Sequence, residues 1–130
     1  MNELKTILII DDSNITRNLI EHVYNGKYNV LTASNGKEAM EYLEKVDSLN
    51  IEVILLDLNM PEMDGFEVLD YAKEKGILSR IPVDIITGEE APEIIGKVKT
   101  YDVSAILLKP FSTAQIEEVV SKSIELKKNN

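Results

Sequence analysis

Apolar residues along the chain fall into five short runs separated by amphipathic stretches. The runs are Thr6–Ile10 (TILII), Asn29–Ala33 (NVLTA), Glu52–Leu58 (EVILLDL), Val83–Thr87 (VDIIT) and Ala105–Lys109 (AILLK). Apart from the weaker second run they are close to unbroken, as strands covered on both faces of a parallel sheet must be. The stretches between them carry helical spacing: Ile15, Leu19 and Val23; Ala39, Leu43 and Val46; Phe66, Leu69 and Ala72; Ala91, Ile94, Ile95 and Val98; Ile116, Val119, Val120 and Ser123. Each set lines one face of a helix.

Start signals agree. Asn35 precedes Glu38, Asp64 precedes Glu67 and Ser112 precedes Gln115, each pair opening an apolar-periodic run. The first side chain of each pair accepts from free helix N–H groups and the second reaches back toward the cap. The order is β-α five times over. Right-handed crossovers then predict an α/β fold, a doubly wound five-stranded parallel sheet with helices on both sides. The 130 residues show no repeat, linker or low-complexity segment, so a single domain over 1–130 is expected. Its core should lie within about residues 5–126, with no effector domain.

Composition removes several function classes. There is no cysteine, which excludes disulfides and thiolate metal sites. No apolar run approaches the roughly 20 residues that span a bilayer, and the opening MNELKT has no signal-peptide pattern. A cytoplasmic protein without membrane contact is expected, which makes the sequon Asn14-Ile15-Thr16 a chance match. The net charge of −9 speaks against nucleic-acid binding. It serves solubility, unless some of the acids serve a cation.

The strand ends decide between those readings. In open α/β sheets ligands bind beyond the carboxyl ends of the strands. There the sequence places Asp11 and Asp12, then Asp57, then Thr87 with Gly88, then Lys109 with Pro110; the second strand offers only Ser34 and Asn35. Each has a bland reading alone: Asp12 as a helix cap, Asp57 as a loop-entry residue, Thr87 as a strand former, Lys109 as a solvated ammonium. Together they put three carboxylates, a hydroxyl and an ammonium on one rim. Clustered carboxylates repel, so one is protonated or a cation settles among them. Oxygen-only donors favour a hard ion such as Mg²⁺. With Lys109 and Thr87 added, the set suits a phosphoryl group carried on a carboxylate.

These residues resemble the receiver domain of two-component response regulators. The resemblance covers essentially the whole chain, through ILIIDDS, LLDLNMPEMDG, IITGE and LLKPF. It implies a flavodoxin-like (βα)5 fold with strand order 2-1-3-4-5, and a signalling switch rather than a turnover enzyme. It implies that Asp57 is the phosphoacceptor, taking phosphate from a phosphohistidine on a sensor histidine kinase or histidine phosphotransfer protein. Asp11, Asp12, Asp57 and the Asn59 backbone carbonyl would hold Mg²⁺, with Mn²⁺ as a substitute. Lys109 would bind phosphoryl oxygens, Thr87 would donate its hydroxyl to one, and Gly88 would lie beside them. Asn59 and Glu89 would tune hydrolysis of the acyl phosphate. The bond before Pro110 would be cis. The fourth predicted helix, fifth strand and fifth helix would form the face read by an unidentified output protein or domain, with Ile106, Tyr101, Ile95 and Lys122 as candidates.

Some positions depart from the pattern. Ile106 stands where the family commonly has Tyr or Phe as a rotamer switch, which makes Tyr101 a candidate relay. The fourth predicted helix has Gly96 at its middle, worth about 1 kcal/mol against Ala, and Pro92, tolerable only in the first turn. Asp84 lies in an expected interior strand, where an unpaired charge is costly; it needs a solvent-facing strand end or a partner. His22, the only histidine, sits away from the rim and is expected to carry no chemistry.

The rival reading is a haloacid-dehalogenase-type Mg²⁺-dependent phosphatase, which also uses Asp, Thr and Lys. Its nucleophile belongs to an Asp-x-Asp motif on the first strand, whereas Asp11 and Asp12 are adjacent. A flavodoxin-like cofactor binder would want a Ser/Thr/Gly-rich loop where DDSN stands. A calcium loop is excluded because Gly65 is misplaced in DLNMPEMDG.

Overall fold

The computed structural model describes residues 4–60 and 64–129. Five strands, β1 (Thr6–Ile10), β2 (Asn29–Ala33), β3 (Ile51–Leu56), β4 (Val83–Thr87) and β5 (Ala105–Leu108), form one sheet in the order β2-β1-β3-β4-β5. All neighbours are parallel. The helices are α1 (Asn14–Tyr24), α2 (Gly36–Leu43), α3 (Gly65–Glu74), α4 (Ile77–Arg80), α5 (Pro92–Val98) and α6 (Thr113–Lys128). None among the described residues is long and apolar enough to cross a membrane. The fold class and strand order are those expected.

The unbroken aliphatic runs follow from the two-sided cover. Along β1, Ile7 and Ile9 join a core with Ile20 and Tyr24 of α1 and with Ile116, Val120 and Ile124 of α6. Leu8 and Ile10 point the other way, into a core shared with α2, α3, α4 and Val98 of α5. A period of two with both phases buried leaves no polar position.

The structure corrects several details. β3 ends at Leu56, not Leu58, and β5 at Leu108, not Lys109. Asp57 and Lys109 are therefore the first residues beyond their strands. Both still take part in the ladder: Asp57 N donates to Ile10 O at 2.9 Å and Lys109 N to Thr87 O at 2.8 Å. α1 buries Thr16, Ile20 and Tyr24 rather than the stripe of Ile15, Leu19 and Val23. The helix is turned by one position: Tyr24 and Thr16 complete the contact, Leu19 and Val23 flank it, and Ile15 is left 82% exposed. The short α4 went unpredicted. It buries Ile77 and Leu78 behind Gly76, whose φ of 73° is the left-handed conformation glycine adopts without strain.

Of the three cap pairs, only Ser112–Gln115 closes reciprocally, Gln115 N donating to Ser112 Oγ and Ser112 N to Gln115 Oε1. Asn35 and Asp64 cap as expected. Glu38, however, reaches Ser34 N and Oγ, both at 2.7 Å, one residue before its cap. Ser13 caps α1, which releases Asp12 from that bland role. α5 spans only seven residues, with Pro92 in its first turn, no side-chain cap and Val98 as its one buried residue. His22 is exposed on α1.

Candidate functional site

Parallel strands bring all five carboxyl ends to one rim, and there the polar residues meet. One oxygen each from Asp11, Asp12 and Asp57 lies within 4.8 Å of the others. Asp11 and Asp57 are buried and Asp12 is exposed, so the cluster has a dry floor and a wet mouth. Local hydrogen bonds orient the floor. Ser13 N donates to Asp11 Oδ1 at 2.9 Å, and Asn59 N donates to Asp57 Oδ1 at 3.3 Å. Each carboxylate is thus held by the backbone N–H two residues ahead, an Asx turn that fixes one oxygen and leaves the other to the pocket.

Lys109 comes in from the neighbouring loop. Its Nζ lies 2.7 Å from Asp11 Oδ2 and 3.5 Å from Asp57 Oδ2. The approach to Asp11 is an ion-pair contact off the alignment of a hydrogen bond, so the buried Oδ2 still lacks a donor. Burial and then the Asp11 charge push the Asp57 carboxyl up to about 6; Lys109 and the Asn59 N–H pull it back, and Asp12 pushes it further up. The site therefore has too little positive charge for its acids.

Thr87 is fully buried at the end of β4, joined to Lys109 by the backbone bond above. Its Oγ1 accepts from Glu89 N at 3.1 Å, which leaves the hydroxyl proton to donate elsewhere. Glu89 Oε1 in turn accepts from Ala91 N at 3.0 Å. Gly88 is exposed beside them. The Lys109–Pro110 bond is cis.

Other expected residues lie away from the rim. Tyr101 donates its hydroxyl to Asp70 Oδ1 at 2.6 Å and packs on Phe66 with ring centroids 6.1 Å apart. That hydrogen bond, ahead of burial and the Asp70 charge, pushes the phenol up to about 12. Ile106 is half-buried against the core on the α2–α5 side. Ile95 is half-buried and Lys122 exposed. Of the motif LLDLNMPEMDG, residues 61–63 lie outside the described residues.

Two residues that matter here escaped sequence reasoning. Arg17 sends Nη1 to the Asp11 carbonyl at 2.7 Å and Nη2 to Asn14 Oδ1. It grips the backbone of the acid pair from α1; its only sequence signal is its place one turn after the cap Ser13. Gly65 opens α3 directly under the phosphoacceptor candidate. A Cβ there would lie 2.7 Å from Leu58 Cα and 2.9 Å from Asp57 O, closer than atoms can pack. Only glycine lets α3 come in this tightly, and its N–H donates to Leu58 O at 2.8 Å.

The family model of the response regulator receiver domain matches residues 7–121. The chain belongs to this family. Among curated relatives, the two-component response regulator ARR17 of Arabidopsis thaliana is 33% identical over 129 residues, covering 92% of this receiver and 84% of that protein. The two-component response regulator ORR3 of Oryza sativa is 32% identical over 119 residues, covering 91% and 89%. Among solved structures, the Vibrio cholerae chemotaxis protein CheY4 superposes with a TM-score of 0.80 at 29% identity, covering 93% of this receiver and 99% of that chain. A receiver domain of a Luxo repressor protein from Vibrio parahaemolyticus reaches 0.85 at 21% identity, covering 97% and 94%, and supports the fold. Receiver domains of response regulators are signalling switches that interact with histidine kinases or phosphotransfer proteins. The phosphatase reading is accordingly set aside for this receiver.

The donor set suits the divalent ion that receivers use. It is all oxygen, it gathers at one rim, and its three carboxylates have only the Lys109 ammonium between them among the described residues.

Proposed function

We propose that the receiver takes a phosphoryl group onto Asp57 from a partner's phosphohistidine, with Mg²⁺ held by Asp11, Asp12, Asp57 and the Asn59 carbonyl. The observation that carries this reading is the convergence of three carboxylates and one ammonium on a half-buried rim. Mg²⁺, or Mn²⁺ in its place, supplies the positive charge that lets an anionic phosphoryl group approach an anionic nucleophile.

The chain's own groups do the rest. The Asx turn to Asn59 fixes Asp57 Oδ1 and frees Oδ2, the oxygen that faces Lys109 and attacks phosphorus. In the transfer a new Oδ2–P bond forms as the P–N bond to the donor imidazole breaks, and the imidazole nitrogen keeps the electron pair. Lys109 moves its ammonium from Asp11 to the incoming oxygens. Thr87, with its lone pair engaged by Glu89 N–H, donates its proton to one of them. Asn59 and Glu89 flank the acyl phosphate and set how fast water reaches it; Gly88 leaves room at the mouth.

The output side lies on α5, β5 and α6. α5 is short, uncapped and thinly buried, which places it at the yielding end of the fold. Ile106 has no aromatic ring to rotate, so the relay passes through Tyr101, which ties the α5–β5 loop to Asp70 of α3. Ile95 and Lys122 complete the face that an output partner reads.

The test is acid-stable, base-labile labelling by acetyl phosphate. The parent should label once per chain with Mg²⁺ and fail to label when the metal is chelated beforehand, and Asp57→Asn should not label. Rapid multiple turnover of p-nitrophenyl phosphate, or equal labelling of the Asn variant, overturns the reading.

A further inference from the structure

β4 carries a carboxylate that the phosphoryl site does not use. Asp84 is 0% exposed at the second position of the strand. Its register partners on the two flanking strands are Leu55 and Ala105, neither of which offers charge. Spacing of two puts it on the same sheet face as Ile86, against α1 and α6. Among the described residues its one hydrogen bond is from Ser123 Oγ of α6, at 2.6 Å to Oδ1. Oδ2 is buried with no hydrogen-bond donor among them.

The groups on every packed element confirm the deficit of compensation. From α1, Tyr24 projects into the same core with its hydroxyl also buried and unpartnered. Burial first, then Glu117, Tyr28 and Asp84, hold that phenol above its ordinary value. From α6, Ser123 supplies the one hydrogen bond to Asp84 among the described residues. Glu117 pairs with Lys27, and Lys127 is spent on Leu78 O at 2.8 Å and on Asp102. On β3, Glu52 accepts from Tyr28 Oη and faces Lys128. Among the described residues no cation reaches Asp84. A carboxylate anion here would face apolar side chains, a phenol oxygen and one hydroxyl, whereas a neutral acid fits.

We propose that the Asp84–Ser123 contact is a pH-sensitive latch that fastens α6 to the sheet, closed while Asp84 carries its proton and loosened when it ionises. Three features make it a latch rather than an ordinary buried hydrogen bond. Its two halves lie 39 residues apart on separate elements, β4 and α6. Ser123 sits among Ile116, Val120 and Ile124, the residues that dock α6, so a charge there acts on the whole interface. And the burial of Asp84 raises its carboxyl from 3.8 to about 7, only partly offset by the Ser123 bond. The folded chain therefore keeps this proton where the unfolded chain has lost it. The latch contributes fully below about pH 4, and that contribution is lost as the pH rises through about 7. A soft opening of α6 then falls within the neutral range, independently of any phosphoryl group on Asp57.

The experiment is amide exchange on the metal-free full chain from about pH 5.5 to 8.5, corrected for intrinsic rates. It is paired with the ¹³Cγ shift of Asp84 in the same samples. The α6 amides of the parent should exchange roughly tenfold faster at the upper end, along the same curve as an Asp84 ¹³Cγ titration near neutrality. Asp84→Asn, which keeps an acceptor for Ser123 and cannot ionise, should remove the pH dependence of α6 while the helix stays protected. Ser123→Ala, which removes the donor that favours the anion, should move the Asp84 titration and the pH dependence of α6 together to higher pH. The ¹³Cγ titration needs no variant, so a failure of the Asn protein to fold leaves the test intact. An Asp84 ¹³Cγ shift constant over the range overturns the latch, as does parent-like pH dependence in Asp84→Asn.

Discussion

Lys109 leans toward Asp11, at 2.7 Å, more than toward Asp57, at 3.5 Å. The ammonium rests on the acid expected to serve the metal, not on the one expected to take phosphate. It occupies part of the charge deficit that a divalent ion would fill. Lys109→Ala should therefore bind Mg²⁺ more tightly, by about fivefold, an effect on the order of 1 kcal/mol for unit charges in a partly exposed site. The same variant should be labelled by acetyl phosphate at least about a hundredfold more slowly, because a donor aimed at the transferring oxygens is lost. Metal titration by intrinsic tyrosine fluorescence and labelling kinetics read the two effects separately. A loss of both would mean that Lys109 merely props the pocket open.

The Asp57 carboxyl, pushed to about 6 from 3.8, fixes a pH signature. Without metal, the folded chain holds this proton after the unfolded chain has released it. Stability should fall as pH rises from about 4 through about 6 and then level off. Asp57→Asn removes the anion and should flatten that part of the curve, raising stability above pH 6 by about 1–3 kcal/mol. Mg²⁺ competes with the proton, so its apparent affinity should climb through the same interval. Urea unfolding at several pH values, with and without Mg²⁺, checks all three, and the Asp84→Asn background separates the second buried acid.

Gly65 has no room for a methyl group. Gly65→Ala should cost about 2–4 kcal/mol, as overpacking against backbone does, and push the Asp57 carbonyl segment outward. Labelling should drop even in the fraction that remains folded. Thermal unfolding together with labelling per folded chain tests this; a stable variant with normal labelling would show that α3 can shift aside.

Tyr101→Phe removes the bond to Asp70 and keeps the stack on Phe66. The cost should be about 0.5–1.5 kcal/mol, with faster amide exchange confined to α5 and the loop before β5. In the parent, a beryllofluoride phosphate mimic should shift the Tyr101 ring resonances. Ring shifts that stay unmoved while Thr87 responds would exclude the relay.

The sheet was legible because two-sided burial writes itself as unbroken aliphatic runs; Ile7 to Ile10 could be nothing else. The rim followed from topology, since parallel strands place Asp11, Asp57, Thr87 and Lys109 at one end whatever their separation in the chain. What escaped was rotation and reach. Ile15 and Thr16 are one residue apart, and only docking decides which of them faces the sheet. Arg17 and Gly65 act through the backbone of other segments, so no spacing rule marks them. Asp84 is visible in the sequence as an anomaly, but its partner Ser123 falls in the α6 stripe, where spacing alone gives it no distinction. Residues 61–63 of the central motif lie outside the described residues.

β5 closes the sheet at an open side, with its residues half-buried or exposed, whereas β3 is flanked by strands on both sides. The proposed nucleophile is thus mounted just beyond a strand paired on both sides, and the ammonium proposed to meet the phosphate just beyond a strand paired on one. An anvil and a spring face each other across the pocket: whatever lands on Asp57 should displace Lys109 and its strand rather than the acid, and that recoil is delivered at the border nearest the outside world.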